Sequence, residues 1–234
     1  MEKNSIWKYV IAAVAVVALG FCIRSGMMNL NSSNRSVQVK GLSEREVKAD
    51  NVTWPIIYKV VGSDLPGLYD KVETNNNIVL EFLHKNGITD EEISINAPKV
   101  QNNVAESWSA ERAFDYGLTQ VITVKSKNVD LVNKLLIAQR ELIKKNIPIT
   151  MGNSYDTPQI RYDYSGLNTI KPDMIKEATQ NARLAAEQFA NDSGSSVGDI
   201  KHATQGQFSI EDRDENTPYI KTVRVVTTVE FCLD

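Results

Sequence analysis

The residues able to do chemistry are few, and none stands in a spacing that completes a known site. Gly194-Ser195-Ser196-Val197-Gly198 matches the G-x-S-x-G pattern of a nucleophile elbow. An elbow needs a strand before the serine and a helix after it, whereas the expected order here is helix first and strand second. Asp199 and His202 also follow too closely to serve as triad partners. Asp212-Arg213-Asp214-Glu215-Asn216 resembles the start of a calcium loop. Thr217 stands where the loop's glycine belongs and Val223 where its bidentate Glu belongs, so the segment reads as an acidic hairpin turn ending at Pro218. His84 and His202 each stand alone, and the two cysteines, Cys22 and Cys232, are far apart in sequence. No zinc spacing, phosphate loop or dinucleotide fingerprint is present, so no cofactor or metal is expected. With Cys22 inside an apolar run, no disulfide is expected in the rest of the chain, and Cys232 reads as a packing residue.

The densest polar segment is Ser43 to Asp50, SEREVKAD, with five charges between two strand-like stretches. Its side chains Glu44, Arg45 and Asp50 are the candidate binding residues for a polar ligand or a partner chain. The competing reading is a solvated turn laced with ion pairs, each contributing under about 1 kcal/mol.

The elements that would position these residues emerge from periodicity. Ser36–Gly41 alternates as a strand, and so does Asn51–Gly62, with Val52, Trp54, Ile56, Tyr58 and Val60 on one face. Pro55 cannot donate to a ladder, so that strand is expected at an edge or bulged. A helix over residues 64–85 carries the stripe Leu65, Leu68, Val72, Asn75, Val79 and Phe82, with Asp64 as N-cap and Asn86-Gly87 as the stop. Asn75 reads either as a polar contact or as a water-facing turn. Strands are expected at 93–104 and 118–125, joined by a polar and aromatic connection, Ala105 to Tyr116. A helix at 129–145 has Val129, Val132, Leu136, Gln139 and Ile143 in register. Residues 147–164 hold further strand material, broken at Asn153–Pro158. The helix at 171–191 has Pro172 in its first turn and a stripe of Ile175, Ala178, Ala182, Ala185 and Phe189. Strands at 196–210 and 219–233 complete an α+β chain of order ββ-α-ββ-α-β-α-ββ, with antiparallel sheets and long helices layered on one face.

Residues 1–24 read as a membrane signal. Tyr9–Ile23 holds no charge, Lys3 and Lys8 precede it and Arg24 follows it. Residues 6–23 come close to the roughly 20 residues a spanning helix needs. Two readings stand, an uncleaved anchor and a signal peptide cut near Ala18-Leu19-Gly20. Either exports the remainder, and the basic residues ahead of the run agree with that orientation. Residues 25–35 read as a polar linker, and residues 36–234 as a single domain on the non-cytoplasmic side of the membrane. The chain holds 26 basic and 29 acidic residues. Residues 1–24 take three of the basic and one of the acidic, leaving −5, which argues against a nucleic-acid partner.

Val37-x-Val39-x-Gly41 followed by Glu44-Arg45-Glu46-Val47-x-Ala49-Asp50 resembles the opening motif of the SIMPL domain family. The resemblance continues through Asn86-Gly87-Ile88, the helix with Ala178, Ala182, Arg183, Ala185 and Ala186, and the closing strand Val223–Val229. It implies an exported cell-envelope domain with no established catalytic residues, and relatives that assemble into ring-like oligomers or are linked to envelope or oxidative stress. The expected function is therefore a non-enzymatic envelope module that forms homo-oligomers. The alternatives are a ligand-binding or sensory ectodomain for an unidentified small molecule, with Tyr155–Tyr164 a further candidate segment, and an enzyme with an unfamiliar site.

Overall fold

The computed structural model describes residues 13–24, 35–106, 113–150 and 158–234. Residues 25–34 of the expected linker, the centre of the Ala105–Tyr116 connection and residues 153–157 of the expected break lie outside them. Residues 13–24 form helix α1. After it come β1 (Ser36–Lys48), β2 (Asn51–Gly62), α2 (Leu65–Lys85) and a 3-10 turn (Asp90–Glu92). Then come β3 (Ile93–Ile95), β4 (Lys99–Asn102), α3 (Asn103–Glu106), β5 (Tyr116–Ser126), α4 (Val129–Ala138) and α5 (Arg140–Lys144). The last elements are β6 (Ile149–Thr150), β7 (Arg161–Asp163), α6 (Leu167–Asp192), β8 (Val197–Gln205), β9 (Ser209–Asp212) and β10 (Ile220–Leu233). The class is α+β, as expected, with more breaks than the periodicity suggests. Among the described residues no helix is long and apolar enough to cross a membrane.

One sheet runs β1-β10-β8, with β9 also on β10; the other runs β3-β5-β2-β6, with β4 on β5 and β7 on β2. The chain divides into two compact units. The first comprises residues 1–45, 168–210 and 223–234, and the second residues 46–167 and 211–222.

The second unit holds the larger core. Alternation along β2 buries Val52, Trp54, Ile56, Tyr58 and Val60 on one face, against Leu118, Ile122 and Val124 of β5. β2 and β5 pair antiparallel in unbroken register from Val52↔Ser126 to Gly62↔Tyr116. α2 closes over this face with Leu68, Val72, Val79, Phe82 and Leu83, and α4 with Val129, Val132 and Leu135. Asp64 caps α2 by accepting from the Gly67 amide at 3.2 Å. Beyond the cap at Asn86, Gly87 turns the chain at φ +87°, a conformation glycine adopts at little cost. Asn75 is buried, so of its two readings the water-facing one fails.

Three expectations are corrected in this unit. β2 is not an edge strand, because β5 lies on one side and β6 and β7 on the other. Pro55 is tolerated because β7 pairs with Asn51–Thr53 and β6 with Ile57–Tyr58, leaving Pro55 opposite neither. The helix at 129–145 is two helices parted at Gln139, and its buried stripe is Val132, Leu135, Gln139 and Leu142, with Ile143 exposed. The charged segment after Gly41 is no turn: β1 continues to Lys48, and only Ala49 and Asp50 separate it from β2.

The first unit is built on a narrower contact. α6 lays Met174, Ala178, Ala182, Ala186 and Ala190 on its sheet, and Val37, Val229 and Phe231 meet the alanines from the strands. This stripe corrects the expected one: Ala185 and Phe189 point away, and Phe189 is 55% exposed. The reason is the closeness of β1, since only alanines leave room for it. α6 also begins at Leu167, so Pro172 is its sixth residue and not part of the first turn.

Candidate functional site

The three candidate binding residues are placed by strand alternation. Ser43 and Arg45 fall on the side of β1 that meets α6, while Glu44 points the other way and is exposed. Ser43 is 1% exposed and donates its hydroxyl to Glu177 at 3.0 Å; Arg45 donates to the same carboxylate oxygen at 3.1 Å. The Arg45 and Ser43 hydrogen bonds hold Glu177 below the usual carboxylate range. Glu44 and Arg45 therefore do not converge, and Arg45 is engaged within its own unit.

Asp50 is spent on local structure as well. Its carboxylate accepts from the Ser165 amide at 2.9 Å, the Ser165 hydroxyl at 2.8 Å and the Asn51 side-chain amide at 2.7 Å. Partial burial alone would raise its pKa, but these bonds and one from the Gly166 amide together hold it below 3.8. The other motifs resolve similarly. α6 ends before Gly194–Gly198 and β8 begins within it, at Val197, so a helix precedes Ser195 and Ser196 and a strand follows them, and Ser195 accepts from Arg35 at 2.8 Å. In the hairpin between β9 and β10, Asp214 accepts from the amides of Asn216 and Thr217 at 2.9 and 2.8 Å. Among the described residues no group of three or more His, Cys, Asp or Glu is placed to hold a metal ion.

What sequence reading missed is a groove in the second unit, with a volume of about 600 Å³. α4 contributes Asn133, Lys134, Leu136 and Ile137; Ile160 and Tyr162 come from β7 and its approach; Glu215, Asn216, Pro218 and Tyr219 come from the β9–β10 hairpin. Three segments remote in sequence converge, so no local motif announces the site. The candidate segment Tyr155–Tyr164 supplies Ile160 and Tyr162 to the lining, and that is the part of the site the sequence reading named.

The groove is held open by ordinary bonds. Tyr162 donates its hydroxyl to Asn133 Oδ1 at 2.5 Å. Tyr162 and Tyr219 meet edge to face, with centroids 6.1 Å apart at 66°. Burial, and then the neighbouring Tyr219, push the Tyr162 phenol above its ordinary pKa, so it stays a neutral donor. Arg213 bridges Glu46 at 3.3 Å and Asp214 at 3.1 Å, and with the Asp214 bonds this fixes the hairpin that carries Glu215. Lys48 engages Asp130 at 2.5 Å in the first turn of α4.

An α+β protein of two antiparallel sheets and long helices, with a shallow apolar groove, is what these features define. The family model of SIMPL, proteins of unknown function (DUF541), matches residues 37–231, and the chain belongs to this family. No curated protein was found to match it.

Proposed function

We propose that the chain is a non-enzymatic module of the cell envelope, tethered to an inner membrane by residues 1–24, with its folded part in the periplasm, and acting by self-association. The observation that carries this reading is α1. Its apolar side chains lie open on every side, among them Val16 at 71%, Leu19 at 61% and Phe21 at 71% exposure. A helix apolar all round and covered by none of the described residues is stable only in apolar surroundings, and lipid supplies them. Lys3 and Lys8 ahead of the run favour export of the residues beyond it. Self-association draws on the first unit, where Leu184, Phe189 and Ile200 are 62%, 55% and 47% exposed.

The test is a phosphatase that folds only outside the cytosol, fused after Asp234, together with alkaline extraction of membranes and light scattering of the full chain in detergent. Active fusion, retention in the membrane pellet and a mass above one chain are expected. Activity confined to a cytosolic reporter overturns the compartment; a strict monomer at high concentration overturns the assembly.

A further inference from the structure

We propose that the groove of the second unit binds a short peptide that keeps its free ammonium and carboxylate and carries apolar side chains. The site's volume of about 600 Å³ falls in the range of small-ligand sites, roughly 300–1,000 Å³. Its floor of Leu136, Ile160 and the Tyr162 ring is apolar, and Ile137 on its border is 69% exposed. An apolar side chain seated there removes from water surface that the fold itself leaves wet.

The charges select the ligand's ends. Asp130 is already engaged by Lys48 at 2.5 Å. Lys134 and Glu215 line the same groove, both exposed, and neither has an ion-pair partner among the described residues. One free cation and one free anion suit a zwitterion: a purely anionic ligand meets Glu215 and a purely cationic one meets Lys134. The Asn133 amide nitrogen, the Asn216 side chain and the Tyr219 hydroxyl have no hydrogen-bond partner among the described residues. Carboxamides donate and accept at once, as a peptide bond does, which favours a peptide over a simple amphiphile.

Calorimetric titration of the full chain in detergent tests this, with leucyl-leucine, N-acetyl-leucyl-leucine, leucyl-leucinamide and glycyl-glycine as probes. Leucyl-leucine is expected to bind saturably, each capped form about tenfold more weakly, and glycyl-glycine not measurably. Lys134→Glu and Glu215→Lys are each expected to weaken leucyl-leucine about tenfold with unchanged melting temperature, since both side chains are exposed. Ile137→Asp is expected to abolish binding. Absence of saturable leucyl-leucine binding, equal affinity for the capped peptides, or indifference to all three substitutions each overturns the proposal.

Discussion

A Cβ on Gly41 would stand 1.8 Å from the Ala178 carbonyl oxygen and 2.4 Å from the Ala182 amide nitrogen. β1 therefore runs against the backbone of α6, not against its side chains. Gly41→Ala should destabilise the protein by about 3 kcal/mol, the upper end of overpacking costs, because the atoms in the way are helix backbone and cannot turn aside. Ala178→Gly should not rescue it, since the obstructing carbonyl remains. Urea unfolding of the single and double variants measures this; a cost below about 1 kcal/mol for Gly41→Ala would mean the two elements separate easily.

Asp50 should contribute stability at neutral pH that acid removes. Its folded-state pKa lies below the reference value of 3.8. The contribution is therefore complete above 3.8 and is lost as pH falls from there through the lower folded value. Asp50→Asn keeps an acceptor for Ser165 but loses the charge. It should cost about 1 kcal/mol at pH 7, a modest figure because solvent still reaches the carboxylate. The gap between variant and parent should close under acid. Unfolding curves compared at neutral pH and below the folded pKa decide the matter, and a gap that does not change with pH would rule out the charge as its source.

The parts of this fold that were legible in the sequence are those whose signal is local. The alternation of Val52 to Val60, the Asp64 cap and the Asn86-Gly87 stop are read from neighbours in the chain, and each stands where expected. The misread features depend on what lies opposite. Nothing in the sequence around Pro55 says that two short strands leave a gap there. Nothing in the 171–191 periodicity separates the stripe through Phe189 from that through Ala186 and Ala190; the approach of Gly41 to the helix decides it. Five charges in Ser43–Asp50 looked like a turn because composition hides period two: Ser43 and Arg45 face α6 while Glu44 and Glu46 face water. Of the groove only the Tyr155–Tyr164 segment, with Ile160 and Tyr162, was named from the sequence; the rest was illegible for the same reason, since its residues meet only after α4, β7 and the last hairpin are assembled.

Asp214 offers a direct electrostatic measurement. Hydrogen bonds from the Thr217 hydroxyl and then from Arg213 hold its pKa at about 2. Carbon-13 titration of the aspartate carboxyls should find a midpoint there in the parent protein. Thr217→Val removes the first of these donors and should move the midpoint up toward 3.8. An unshifted midpoint in the variant would show that Arg213 and the turn amides suffice alone.

Asn75 is the residue of α2 that the core accommodates least well. It is 8% exposed, lies in the stripe between Val72 and Val79, and its Nδ2 has no hydrogen-bond partner among the described residues. Gln120, fully buried opposite Tyr58, likewise leaves Oε1 without one. Tyr58, by contrast, is satisfied, donating to the Val72 carbonyl at 2.9 Å and to Asn76 Oδ1 at 2.8 Å. A buried donor without a partner costs about 1–3 kcal/mol, while leucine repeats the branched heavy-atom skeleton of asparagine with no polar atom and has a better helix propensity. Asn75→Leu should therefore raise stability by about 1 kcal/mol, or about 2–4 °C in melting temperature for a chain of this size. Calorimetric melting reads it directly. A lowered melting temperature would mean that Nδ2 is satisfied in solution, as by a buried water, and that Asn75 is a hydrated polar contact within the core.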